Sequence, residues 1–307
     1  MKSRNPRLFL RQFAPWIIAA IILVILFGQV DFKQFLDALR LADIRLYLPL
    51  LIVFIAICFF IDSHNLTLLL RQFGHQNTHK ETLKLVGENY LLSLLNYYIG
   101  AGGMAYCLLR DKNIPISRGA SLMLFYIAVT QISLFSLAAI GFLFISRPSS
   151  LLKYIFLISI CVLAMIIIGL ILLKFLPSKG FLLRIKNISF LRVFIEAGFK
   201  KYVLLIFWRM LYYSTFIVFF WGAVKAFHMN IPFEILASYV PIILLLIGIP
   251  ITPFGLGTVQ GAMIIFFNDY GNTANILAFG IVYSTSIALV RAAIGLFYTG
   301  NRKNRRR

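Results

Sequence analysis

The sequence predicts an all-α polytopic membrane protein. Three observations carry that expectation: 61% of the 307 residues are hydrophobic, only 13% are charged, and the basic residues gather at the ends of long apolar runs. Soluble domains hold about 45–50% apolar and about 25% charged residues, so water is not the main solvent of this chain. Thirty Lys and Arg stand against ten Asp and Glu, a net charge of +20. In a soluble protein such an excess would point to nucleic acid. Here the bases flank apolar runs, where they set orientation and meet anionic headgroups, so no nucleic-acid partner and no hidden soluble domain is expected.

A spanning helix needs about 20 mostly apolar residues. Along the chain the first candidate is 14–30, which follows Lys2, Arg4, Arg7 and Arg11 and lacks a small-residue cleavage site near Gln29 to Asp31. It therefore reads as a retained signal anchor. Phe32, Phe35, Leu36 and Leu39 then follow i, i+3, i+4, i+7 spacing among charged residues, as expected of a helix lying in the outer interface. Spans are predicted at 46–61, 120–145, 154–176, 202–224 and 274–298. Two further apolar regions, 85–109 and 235–268, are interrupted by Gly or Pro and read as broken helices. Segment 177–201, with six bases between apolar residues, is expected on the inner surface. Cys58, Cys107 and Cys161 lie in apolar stretches without CxxC spacing, which argues against disulfides and zinc and for packing.

Sidedness follows from the bases. If each broken region crosses once, Lys and Arg divide almost evenly between the two sides. If each dips in and returns, most fall on one side, with Arg209 and Arg291 left inside spans. The positive-inside rule selects the second arrangement: about six spanning helices plus two re-entrant helices, or eight if each broken helix is counted, with both termini cytoplasmic. The whole chain, 1–307, is then one integral membrane domain. Its halves, 1–148 and 149–307, run span, span, dip, span from opposite faces, an inverted repeat of the kind from which many secondary transporters are built.

The dips read Asn96-Tyr97-Tyr98-Ile99-Gly100-Ala101-Gly102-Gly103-Met104 and Pro250-Ile251-Thr252-Pro253-Phe254-Gly255-Leu256-Gly257-Thr258-Val259-Gln260. Non-helical backbone at membrane depth is tolerated only where it is buried in protein or lines a wet cavity. Exposed helix ends there can bind charged parts of a substrate. Gly100, Gly102, Gly103, Pro250, Pro253, Gly255 and Gly257 are therefore the expected tips. Ordinary small-residue helix packing is the competing explanation.

The second dip is similar to the Pro-x-x-Pro-Gly-Gly-x-Gly-x-x-Glu motif of the flippase-like membrane domain of lysylphosphatidylglycerol synthases. The first dip, followed by Leu109-Arg110 and Ile116-Ser117-Arg118-Gly119-Ala120, and the stretch Leu66 to Gly74 also resemble that family, over nearly the whole chain. The resemblance implies movement of an anionic or aminoacylated lipid between leaflets. Met104 and Gln260 stand where the family often has glutamate, so a carboxylate for a cationic headgroup is missing from both places. The aminoacyl-transfer domain of the full-length synthases has no counterpart, and no lysyl-lipid synthesis is expected.

Arg209 and Arg291 lie within apolar spans, where a charge is costly and is either functional or snorkels to the interface. Arg110 follows the first dip on the same side. Guanidinium forks suit lipid phosphate, so Arg110, Arg209 and Arg291 are the candidate phosphate ligands. Glu88 and Gln260 join them as candidate substrate-binding residues, Glu88 and Asn89 also being placed to pair with such an arginine or to cap the broken helix. Gln131 is expected to bond a neighbouring helix. His75 and His79, four apart, lack a nearby acid pair, and no DxD, HExxH or phosphate-loop pattern occurs. No catalytic residue, metal or cofactor is expected.

The reading is a flippase or transporter of an anionic or lipid-linked substrate in the cytoplasmic (inner) membrane. The alternative is a non-transporting subunit that anchors or regulates an envelope-lipid or glycan enzyme. A lipid-modifying enzyme is weaker because the acids are scattered singly. The expected partner is a membrane phospholipid or lipid-linked substrate, with a homo-oligomer or an envelope-biosynthesis enzyme as further candidates.

Overall fold

The computed structural model describes residues 20–28, 30–95, 97–175, 188–248, 252 and 255–304. Its helices are α1 (20–28), α2 (Phe32–Leu41), α3 (Ile44–Gln72), α4 (His79–Leu95), α5 (Tyr97–Lys112), α6 (Ile116–Leu143), α7 (Ser150–Phe175), α8 (Arg192–Glu196), α9 (Phe199–Ala223), α10 (Phe233–Gly248), α11 (Thr258–Phe267) and α12 (Thr273–Asn304). Among the described residues, five helical stretches are long and apolar enough to cross a membrane: Ile44–Gln72, Ile116–Leu143, Ser150–Leu173, Phe199–Phe227 and Thr273–Gly300. The chain is thus an all-α, multi-pass membrane protein. Residues 14–19 and 29 of the expected first span, 14–30, and residues 177–187 of the amphipathic segment 177–201 lie outside the described residues.

Local chemistry sets the helix ends. Asp31 caps α2 by accepting from the Lys33 N–H at 2.8 Å, and Asp43 caps α3 by accepting from the Leu46 N–H at 3.1 Å. Gly74, at φ 85°, closes α3 while the His75 N–H reaches back to the Leu70 carbonyl at 2.9 Å. Asn113, at φ 54°, does the same for α5, the Ile114 N–H reaching Leu108 O at 3.3 Å. His75 therefore sits in the turn after α3 and His79 opens α4, so the two do not share a helix face. His79 instead meets His64 of α3, Nε2 to Nδ1, at 3.2 Å.

The two broken regions are helical hairpins. The first is α4 with α5, 17 and 16 residues long, and the second is α10 with α11, 16 and 10 residues long. At 1.5 Å per residue the longest of these arms is ~25 Å, short of a hydrocarbon core of ~30 Å. α3 packs on α9, α6 on α10, and α12 on α4, while α5 rests on α6 and α11 on α12. α6 thus covers the first arm of the second hairpin, and α12 the first arm of the first. The α6–α10 crossing is close because Gly141 lies against Ala237, where an added Cβ would come 2.6 Å from the backbone carbon. Only 6% of the most apolar stretch of α7 is buried inside the protein, so this helix turns its surface to lipid.

The first hairpin departs from the expected glycine break. α4 runs to Leu95 and α5 starts at Tyr97, so Gly100, Gly102 and Gly103 belong to the body of α5. Continuous hydrogen bonding keeps the glycines helical, and two of them serve close packing on α4. A Cβ at Gly100 would sit 2.6 Å from Ser93 Oγ, and one at Gly103 would strike Leu92. Gly102 is exposed and has nothing within 4 Å of that position. Gly100→Val is accordingly expected to cost about 1–3 kcal/mol by overpacking, while Gly102→Val leaves the melting temperature of the purified protein nearly unchanged. Equal losses at both positions would mean that close packing on α4 does not explain these glycines.

Candidate functional site

The aromatic and aliphatic side chains form two clusters. One is built around Phe54, Phe216, Phe220, Phe279 and Ile243, the other around Leu69, Leu108, Leu122, Phe125 and Leu205. A cavity of about 210 Å³ takes its walls from both. Both hairpins reach it, α5 through Tyr97, Gly100, Ala101 and Met104, and α10 through Leu244, Leu245, Ile247 and Gly248. The charged side chains on its described wall are Asp62 of α3, Arg209 of α9 and Arg291 of α12.

Arg209 is only 2% exposed, and a bare guanidinium at that depth would be unstable. The fold engages four of its five N–H donors. Its Nε donates to Thr130 Oγ1 at 3.0 Å, Nη1 to Asp62 Oδ1 at 3.0 Å and to the Tyr126 hydroxyl at 2.9 Å, and Nη2 to the Tyr213 hydroxyl at 2.9 Å. Tyr126 passes its own proton on to Asp62 Oδ1 at 2.9 Å, which orients the carboxylate. The guanidinium carbon also lies 4.3 Å from the Tyr126 ring centroid, 4.8 Å from Tyr212 and 4.9 Å from Tyr213. Desolvated cation–π contacts of this kind contribute about 2 kcal/mol or more.

Arg291 is held differently. Its guanidinium lies 5.2 Å from the Tyr90 centroid on the cavity wall. Among the described residues no carboxylate comes within ion-pair distance of it. With Asp62 balancing Arg209, the wall carries an excess of one positive charge. Gln131 also lines the cavity, and its Oε1 is buried without a hydrogen-bond partner among the described residues.

The other sequence candidates lie elsewhere. Arg110 does not line the cavity; it pairs with Asp111 beside it at 2.9 Å and with Glu88 in the middle of α4 at 2.6 Å, tying the two arms of the first hairpin together. Beside them Lys112 and Glu81 pair at 2.7 Å. The Lys112 ammonium, helped by the Thr78 N–H, holds the Glu81 carboxyl down at about 2. On the same side of α6, the Arg118 guanidinium lowers the Glu196 carboxyl through a 2.6 Å contact, with Arg192 assisting.

Gln260 is fully buried, accepting from the Gly257 N–H at 2.7 Å and donating to Gly280 O at 3.0 Å and Ser284 Oγ at 3.1 Å. It fastens the second hairpin's turn to α12. Met104, at the other site of expected glutamate, lines the cavity. Gly255 and Gly257 adopt φ 68° and 84°, as a turn between helices requires, while Pro250 and Pro253 lie outside the described residues. Gly257→Val is expected to cost about 1–3 kcal/mol through left-handed strain, read as a lowered melting temperature. Gly261→Ala, a helical site with open space around it, serves as the control.

Sequence reading missed Asp62 and the tyrosines. Asp62 stands one residue beyond the apolar run ending at Ile61. Tyr90, Tyr97, Tyr126, Tyr212, Tyr213 and Tyr283 come from five different helices, with no shared spacing to unite them.

Among the described residues no group of three or more His, Cys, Asp or Glu could hold a metal ion. No curated protein matches the chain. Residues 12–295 match the family described as the lysylphosphatidylglycerol synthase TM region. That match takes in every helix that builds the cavity, α3 through α12 nearly to its end, and the chain belongs to the family of the lysylphosphatidylglycerol synthase TM region.

Proposed function

We propose that the protein moves an anionic lipid between the leaflets of the cytoplasmic membrane, holding the headgroup phosphate at Arg291 while the acyl chains stay in the bilayer. The observation that carries this reading is an arginine without an ion-pair partner among the described residues, in a cavity that both hairpins help to wall. A lone intramembrane cation facing a cavity marks a substrate path, and a guanidinium presents a planar fork to phosphate. The volume of about 210 Å³ supports the division of labour. It falls below the roughly 300–1,000 Å³ of sites that enclose whole ligands, so it suits a headgroup alone.

The reading includes an inverted repeat, 1–148 against 149–307, with both termini cytoplasmic. Reciprocal packing supports it: α6 covers α10 as α12 covers α4, and the central pair α3 and α9 face each other. Rocking of one half against the other would then open the cavity to each leaflet in turn.

Reconstitution tests the function. In proteoliposomes, fluorescent phosphatidylglycerol is expected to become accessible to an external reductant faster than in protein-free vesicles. An unchanged rate would refute transport.

A further inference from the structure

We propose that Asp62 is a proton-binding site whose protonation releases Arg209 for the substrate anion, so that proton and anionic headgroup bind together. The inference rests on the cavity's being the phosphate site and adds the ion that is coupled to it.

The carboxylate of Asp62 and an anionic headgroup would compete for the same donor. Asp62 Oδ1 receives both the Arg209 Nη1–H at 3.0 Å and the Tyr126 hydroxyl at 2.9 Å. The Asp62 side chain keeps 20% of its surface exposed and lines the cavity, whereas Arg209 keeps 2%. A proton can therefore reach the acid, but the base cannot withdraw to water. Protonation of Asp62 removes one negative charge from the wall and leaves the Arg209 fork without its counter-ion. The cavity then holds two uncompensated guanidiniums, Arg209 and Arg291, where before it held one. An anion binds that state more tightly, and by reciprocity the bound anion raises the affinity of Asp62 for the proton.

Among the described residues, the surroundings supply no second acid to take over this role. The charged groups that face Asp62 are Arg209 from α9 and Arg291 from α12. The other titratable groups around it are the phenols of Tyr90 on α4, Tyr97 on α5, Tyr126 on α6, and Tyr212 and Tyr213 on α9, with the Cys58 thiol one turn away on α3. Phenols and thiols keep their protons in the acidic to neutral range. His64 and His79 pair with each other and do not line the cavity.

The test uses short-chain phosphatidylglycerol, whose phosphodiester charge is constant between about pH 5 and 8, with the full-length purified protein. Binding by the wild type is expected to tighten as pH falls, by about 5- to 150-fold, the usual size of a coupling between two sites. Asp62→Asn is expected to bind at the wild type's low-pH affinity at every pH, and His64→Gln to keep the wild-type slope. Addition of the lipid to weakly buffered wild-type protein should also take up protons, a measurement that needs no variant to fold. A wild-type affinity independent of pH, a slope that survives in Asp62→Asn, or the absence of proton uptake would each overturn the coupling while leaving the phosphate site standing. Failure to bind the lipid at any pH would instead refute the phosphate site, and the coupling with it.

Discussion

Replacing Arg291 by glutamine is expected to weaken binding of a short-chain anionic phospholipid about tenfold while leaving thermal stability almost unchanged. The two halves of that expectation have separate causes. Glutamine can still donate a hydrogen bond, so the loss is the difference between a charge-assisted bond of about 1.5–3 kcal/mol and a neutral one of about 1 kcal/mol, and 1.4 kcal/mol is a factor of about ten. Stability is spared because no carboxylate among the described residues depends on Arg291; its recorded contact is the Tyr90 ring at 5.2 Å. Lysine should restore the affinity only in part, since its ammonium keeps the charge and loses the bidentate fork. The comparison lipid is an uncharged diacylglycerol. Equal losses for the phospholipid and the diacylglycerol would make Arg291 a packing residue and remove the phosphate site.

How much of this was legible in the sequence depended on the kind of signal. Arg209 and Arg291 announced themselves because a base inside an apolar run has no cheap explanation. Asp62 did not, because the apolar run ends at Ile61 and the acid reads as the first polar residue of a loop. In the structure α3 continues unbroken to Gln72, which brings Asp62 beside Arg209. The tyrosines count as ordinary apolar residues in any run, and their convergence is a property of tertiary packing alone.

The glycines divide along the same line. At Gly255 and Gly257 a positive φ made the expected turn, whereas Gly100 and Gly103 sit in continuous helix and admit close packing on α4. Sequence cannot separate those two uses of glycine, since both need only the absence of a side chain. Arg110 misled for a different reason. Its neighbour in sequence, Asp111, and a residue one helix back, Glu88, already neutralise it.

Arg209→Ala is expected to damage the fold itself, in contrast to Arg291→Gln. The substitution would leave Asp62 with the Tyr126 hydroxyl as its recorded donor, and would strip partners from the Tyr213 hydroxyl and, in part, from Thr130. Removing one member of a buried pair costs about 3–5 kcal/mol because the other charge is left uncompensated. Asp62 retains 20% exposure to the cavity, which favours the lower end of that range. For a chain of this size the melting temperature of the detergent-solubilised protein should fall by on the order of 10 °C. The pairing makes a sharper demand on the double variant. If the penalty comes mainly from a stranded carboxylate, adding Asp62→Asn to Arg209→Ala should recover part of the lost stability, so that the double variant melts above Arg209→Ala alone. A double variant whose loss is the simple sum of the two single losses would show no coupling between the residues. That result would reduce the contact at 3.0 Å to a passing neighbourhood, and with it the account of why an arginine can be buried there.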